Sequence, residues 1–176
     1  SLVGSEMCIR DSFDVAIGNV PFGDYRVNDS VYNSHGFLIH DYFFAKTLDK
    51  LRAGGVAAYI TTKGTMDKES TKVREFLFKK AELLGAIRLP NTAFKNAGTK
   101  VTADILFLQK REKEIENPEW IAVTEDAQGF RINSYFVQHP EMILGTMQEI
   151  SGPYGMETTC VEKEGVPLGE RLRAAI

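Results

Sequence analysis

The sequence predicts an α/β domain built on an open, largely parallel sheet, and three observations carry that prediction. Short apolar, β-permissive runs recur at 13–19 (FDVAIGN), 55–62 (GVAAYITT) and 86–90 (AIRLP). Between them lie segments whose apolar residues return at helical spacing, and each connection is long enough for the crossover that parallel neighbours require. The composition, 43% hydrophobic and 26% charged over 176 residues, suits one globular core.

The elements follow in order. Residues 13–19 read as a strand buried in a parallel sheet. Residues 20–35, with Pro21, Gly23, Asn28, Asp29, Asn33 and Ser34, read as a long loop, and loops of that length tend to be functional or disordered. Ile39, Tyr42, Phe43, Leu48 and Leu51 repeat with a period of about 3.6 and predict a helix over 37–52, capped by Gly54. Strand 55–62 follows, then a loop at 63–69. A second helix presents Val73, Phe76, Leu77, Ala81 and Leu84 and stops at Gly85. Strands at 86–90 and 101–110 have no helix between them, which predicts an antiparallel pair closing one edge of the sheet.

Beyond Glu112, residues 118–136 allow two short strands about a turn at Gln128 and Gly129. HPEMILGTMQEI (139–150) suggests a short helix, and ERLRAAI (170–176) a second.

The opening segment SLVGSEMCIRDS has no amphipathic period, and LVGSEMCIRDS resembles the conceptual translation of a transposase adapter used in sequencing libraries. Residues 1–12 are therefore expected to be non-native. The expected divisions are 13–112, which holds the alternating strands and helices, and 113–176, an accessory extension or linker. No apolar run approaches the roughly 20 residues of a membrane span, and no secretory pattern opens the chain, so a cytoplasmic location is expected. Cys8 and Cys160 have neither CxxC spacing nor histidine companions, so neither a disulfide framework nor a metal site is expected.

Net charge is -3, but it is unevenly spread. Residues 63–113 carry 12 Lys and Arg against 6 Asp and Glu, whereas residues 114–176 carry 4 against 11. The basic middle reads first as a solvated helix face and second as a surface for a polyanion.

The segment GNVPF (18–22) carries the chemistry. A carboxamide oxygen on Asn19 accepts a hydrogen bond from an amine. The carbonyl of Val20, held ahead of Pro21, is a second acceptor. The aromatic ring of Phe22 offers a flat surface for a base, worth about 1–3 kcal/mol. Two acceptors pulling on an aromatic amine favour a pyramidal nitrogen and stabilise the charge that grows there as it attacks an electrophilic methyl group. In parallel sheets ligands bind at the carboxyl ends of strands, which places 19–22, 62–64 and 90–94 along one edge. His40 and Asp41 fall within the first helix and read as structural.

DVAIGNVPF resembles the Asn/Asp-Pro-Pro-Tyr/Phe motif of amino-group DNA methyltransferases that use S-adenosylmethionine. LPNTAFKNAGTKVTADILFLQK (89–110) resembles the closing hairpin of type I restriction-modification methylation subunits. The stretch from 13 to about 145 is similar to large methylase-helicase proteins of phages and conjugative elements, including DarB-like antirestriction proteins.

That resemblance implies the C-terminal half of a Rossmann-like class I methyltransferase sheet and methyl transfer to the N6 amine of a flipped adenine. In those terms Asn19 is the side-chain acceptor, Val20 the backbone acceptor, Pro21 the fixed turn and Phe22 the stacking ring; Val20 departs from the Pro-Pro form. Tyr25, Thr62 and Lys63 are the candidates for DNA contact, Lys63 reading equally as a solvated loop lysine. S-adenosylmethionine is the implied cofactor, yet no glycine-rich turn precedes Phe13, so the expectation is a fragment whose parent supplies the donor site. The implied partners are DNA and helicase or specificity domains of that parent. Two alternatives stay open: an inactive methylase-fold module for DNA binding or antirestriction, and a methyltransferase acting on RNA or protein glutamine.

Overall fold

The structure, a computed structural model, describes residues 12–176 apart from 22, 24, 153 and 154. Seven elements build the main sheet and the helices beside it: β1 (Phe13–Asn19), α1 (Ile39–Lys50), β2 (Leu51–Thr62), α2 (Gly64–Asp67), α3 (Lys72–Lys80), β3 (Ala81–Leu89) and β4 (Ala103–Lys110). The sheet order is β1-β2-β4-β3. β1 and β2 are parallel, and β4 runs antiparallel to both β2 and β3, so β1, β2 and β3 share one direction. The expected antiparallel pair stands at one edge of the sheet, with the earlier strand outermost and the later one inserted beside β2.

Two helix boundaries differ from the sequence reading. α1 ends at Lys50, and Leu51 is already extended at φ -74° and ψ 142°. Gly54, at φ 78°, is no helix cap but part of a bulge in β2, where the register jumps from Phe13 opposite Leu51 to Val15 opposite Val56. The neighbouring Gly55 is required by close approach: a Cβ there would meet three backbone oxygens, those of Arg52, Asp14 and Phe13, at 3.0–3.1 Å. α3 ends at Lys80, because Ala81, Glu82 and Leu83 alternate buried, exposed, buried with the period of a strand, and Ala81 pairs with Lys110.

α1 and α3 cover one face of the sheet, where Phe44, Leu48, Leu77 and Phe78 pack with Ala57, Leu106 and Leu108. On the other face Ile87, Leu89, Ile105 and Phe107 meet Leu168 and Leu172 of α5 (Leu168–Ala175). β1 departs from the buried strand expected of it. Phe13, Val15 and Ile17 are 55%, 58% and 79% exposed, and β1 has β2 as its one strand neighbour among the described residues.

Beyond the sheet, β5 (Val123–Glu125) and β6 (Arg131–Asn133) flank a turn containing Gly129, and α4 (Ser134–Gln138) follows, capped by the Asn133 side chain. The segment expected to be helical at 139–150 is instead a 3-10 turn at Pro140–Met142 leading into β7 (Gly145–Gly152), which pairs with β8 (Gly155–Glu162). Its alternating apolar positions belong to a hairpin: Met147 and Cys160 are cross-strand partners buried in the main core. Among the described residues no helix is long and apolar enough to cross a membrane.

Candidate active site at the carboxyl edge of the sheet

Because β1, β2 and β3 run the same way, their last residues and the start of β4 share one edge. Asn19 closes β1 opposite Ile60, and the Val20 amide continues the ladder by donating to the Ile60 carbonyl at 3.2 Å. The side chains then divide. Val20 is 5% exposed and anchors in the main core, while Asn19 and Pro21 face solvent. A buried residue thus fixes the backbone on which the Asn19 carboxamide stands free, the arrangement needed for a polar group that must meet something from outside. Phe22 lies outside the described residues.

Tyr25 is 58% exposed, and its carbonyl accepts the Ile39 amide at 3.0 Å, tying the loop to the start of α1. Thr62 ends β2, half-buried. The Lys63 amide donates to the Thr102 carbonyl at 3.2 Å, and its Nζ donates to Thr158 Oγ1 in β8 at 3.0 Å. The structure therefore brings Asn19, Val20, Pro21, Thr62 and Lys63 to one edge, and holds the Lys63 ammonium against the hairpin.

Sequence reasoning missed the polar lattice behind this edge. Asn91 Nδ2 donates to Thr159 Oγ1 at 3.1 Å, Thr102 Oγ1 lies 3.1 Å from Thr159 Oγ1, and the Cys160 amide donates to Thr102 Oγ1 at 2.8 Å. Burial pushes the Cys160 thiol up to about 11. Scattered Thr and Asn residues carry no motif, so no local pattern could have flagged this set.

One layer deeper, Arg88 joins Asp104 and Asp67. Burial works against its charge, but the two carboxylates outweigh that and hold the guanidinium protonated. Asp67 Oδ1 also accepts the Asn133 amide at 3.0 Å, so α2, which follows Lys63, is tied to both β3 and β6. His40 and Asp41 are buried on α1, with His40 Nε2 at 3.4 Å from Asp41 Oδ1. Burial pushes the Asp41 carboxyl up, against the pull of His40 and Lys68.

The described strand ends offer acceptors and hydroxyls. They lack the glycine-rich turn that would cradle a nucleoside-bearing methyl donor, so the described residues do not themselves fit that group. Among them no group of His, Cys, Asp and Glu could hold a metal ion.

Comparison with known proteins adds a family. The profile described as "N-6 DNA Methylase" matches residues 3–149. The "Defense against restriction protein B" of Escherichia phage P1 is 36% identical over 110 residues, which make up 60% of this chain and 5% of that protein. The M protein of the EcoKI type I restriction enzyme superposes with a TM-score of 0.46 at 22% identity, covering 60% of this chain and 23% of that one. A type I restriction-modification methyltransferase subunit from Streptococcus thermophilus gives 0.46 at 15% identity, over 99% of this chain and 38% of that one. The chain thus spans a small part of the phage relative and well under half of either structure.

Proposed function

The chain belongs to the N-6 DNA methylase family, and from that premise we propose that it forms the target-base half of a DNA methyltransferase acting on the N6 amine of adenine flipped out of the duplex. The observation that carries this reading is the division at the end of β1. Val20 is locked into the core, and Asn19 is presented to solvent on the edge shared with Thr62 and Lys63. In this reading the Asn19 carboxamide oxygen and the Val20 carbonyl each accept one hydrogen of the amine. That interaction strengthens as positive charge develops on nitrogen, so it lowers the barrier more than it tightens binding. S-adenosylmethionine supplies the electrophilic methyl group.

The residues that hold the donor come, on this proposal, from another segment of a larger protein. The exposed face of β1 supports that placement: Val15 and Ile17 are apolar, alternate onto one side of the strand and are 58% and 79% exposed among the described residues. Helicase or specificity regions in the same parent are the proposed partners. Tyr25 and Thr62 are the proposed contacts to the nucleic acid around the flipped base.

The test is methyl transfer from labelled S-adenosylmethionine by the full-length protein, with DNA, RNA and protein offered as acceptors and the methylated product identified by mass spectrometry. N6-methyladenine in DNA, lost in Asn19→Ala, is the expected result. Transfer to RNA or to glutamine would replace the substrate assignment. A parent with no transfer to any acceptor, yet with tight DNA binding, would make this a binding and antirestriction module.

A further inference from the structure

β8 crosses the carboxyl edge one strand at a time. Glu162 Oε2 accepts Thr92 Oγ1 at 2.8 Å, just past the end of β3. The Cys160 carbonyl accepts the Asn91 amide at 2.7 Å, and its own amide bonds Thr102 at the start of β4. Thr159 meets both Asn91 and Thr102, and Thr158 then takes Lys63 at the end of β2. Reading backward from Glu162 to Thr158, the contacts follow the sheet order β3, β4, β2, and the next strand in that order is β1.

Neighbouring strands are about 4.8 Å apart and an extended chain advances about 3.3 Å per residue, so one to two further residues bring β8 to the level of β1. Those residues are Glu157 and Met156. Side chains alternate across a strand, so Met156 shares a face with Thr158, the residue that meets Lys63 at the end of β2. Met156 is 66% exposed.

We propose that the β7–β8 hairpin is an arm laid across the carboxyl edge, and that Met156 near its free end forms the apolar roof over the base site that Asn19 begins. The inference rests on the reading that Asn19 receives a nucleobase. A thioether is soft and polarisable and lies well against a flat π face. Glu149 and Glu157 make the arm acidic, so it repels a phosphate backbone while offering apolar surface to a base. Gly145 keeps the arm's root seated, since a Cβ there would collide with the Val161 carbonyl and the Cys160 sulfur.

Two measurements separate the inference from the reading beneath it. In this chain carrying Cys8→Ser, the pair Pro21→Cys and Met156→Cys is treated with bis-maleimidoethane and mapped by mass spectrometry, with Pro21→Cys and Gly129→Cys as the control. A 21–156 cross-link in the first pair only is expected; free alkylation of both thiols without a cross-link overturns the arm's placement. In the full-length protein, Met156→Ala should raise the KM for DNA about five- to tenfold with kcat little changed, and Met156→Leu should restore it. Unchanged KM in Met156→Ala, with activity still lost in Asn19→Ala, overturns the roof alone. Activity retained in Asn19→Ala overturns the reading, and the roof with it, while the cross-link still reports where the arm lies.

Discussion

Arg88 and Asp104 are register partners across β3 and β4, joined by two parallel hydrogen bonds, Nε to Oδ1 at 2.8 Å and Nη2 to Oδ2 at 2.9 Å, with both side chains fully buried. Nη1 reaches Asp67 Oδ2 at 2.8 Å, and the guanidinium lies 4.3 Å from the centre of the Phe136 ring. One cation therefore links β3, β4, α2 and α4, the elements that surround the end of β2. Removing one partner leaves the other charged and dry. Asp104→Asn and Arg88→Met are each expected to cost about 3–5 kcal/mol in urea unfolding, while the triple variant Arg88→Met, Asp104→Leu and Asp67→Asn, which leaves no unpaired charge, should recover most of that. A single variant costing under about 1 kcal/mol would show that the charges are not what joins the strands.

Asn19 offers the opposite case, a polar residue whose loss should leave the fold alone. It is exposed at the end of β1, so Asn19→Ala should unfold at the wild-type temperature. Transfer by the full-length protein should fall about thirtyfold or more in kcat/KM, equivalent to about 2 kcal/mol, because one of two acceptors is gone. A matched loss in both stability and transfer would instead mark Asn19 as structural.

Asp49 gives the pH dependence. Burial raises its carboxyl, but the Tyr32 hydroxyl and the ammonium groups of Lys80 and Lys110 outweigh that and hold it below its ordinary 3.8. A carboxyl lowered in the folded state stabilises above its unfolded value and loses that contribution as pH falls through the folded one. Asp49→Asn should therefore be less stable than wild type at pH 6, and the difference should close as pH drops below about 4. Urea midpoints at half-unit steps check this; a gap that persists at low pH would show that packing, not charge, is at stake.

Cys160 is fully buried, and its thiol is pushed up to about 11. At pH 8 iodoacetamide should modify it only on unfolding, at the rate at which the hairpin root opens. Rapid modification of the native chain would show that the arm lifts readily from the sheet edge.

The parallel order of β1, β2 and β3 and the placement of Asn19 at a strand end were legible because apolar runs, turn residues and helical spacing are local signals. Boundaries were less so. Ala81 and Leu83 satisfy a helix and a strand equally well until the pairing of Ala81 with Lys110 decides, and Gly54 looks like a cap until β2 bulges around it. The buried triad of Arg88, Asp104 and Asp67 was invisible, since the sequence separates its members and only the insertion of β4 makes Arg88 and Asp104 neighbours. β7 was misread as part of a helix because Ile143, Met147 and Ile150 fall at helical spacing. Its true pattern depends on Gly145 meeting a strand 17 residues away, opposite Glu162.

The insertion of β4 between β2 and β3 also sets an order of events at the ribosome. β1, α1 and β2 can associate as they emerge, but β3 finds no neighbour until β4 is complete, 21 residues after Leu89. At about 5–20 residues per second this is a wait of roughly one to four seconds. During that interval Arg88 keeps its hydration shell, and the strand that carries it stays outside the sheet until Asp104 arrives.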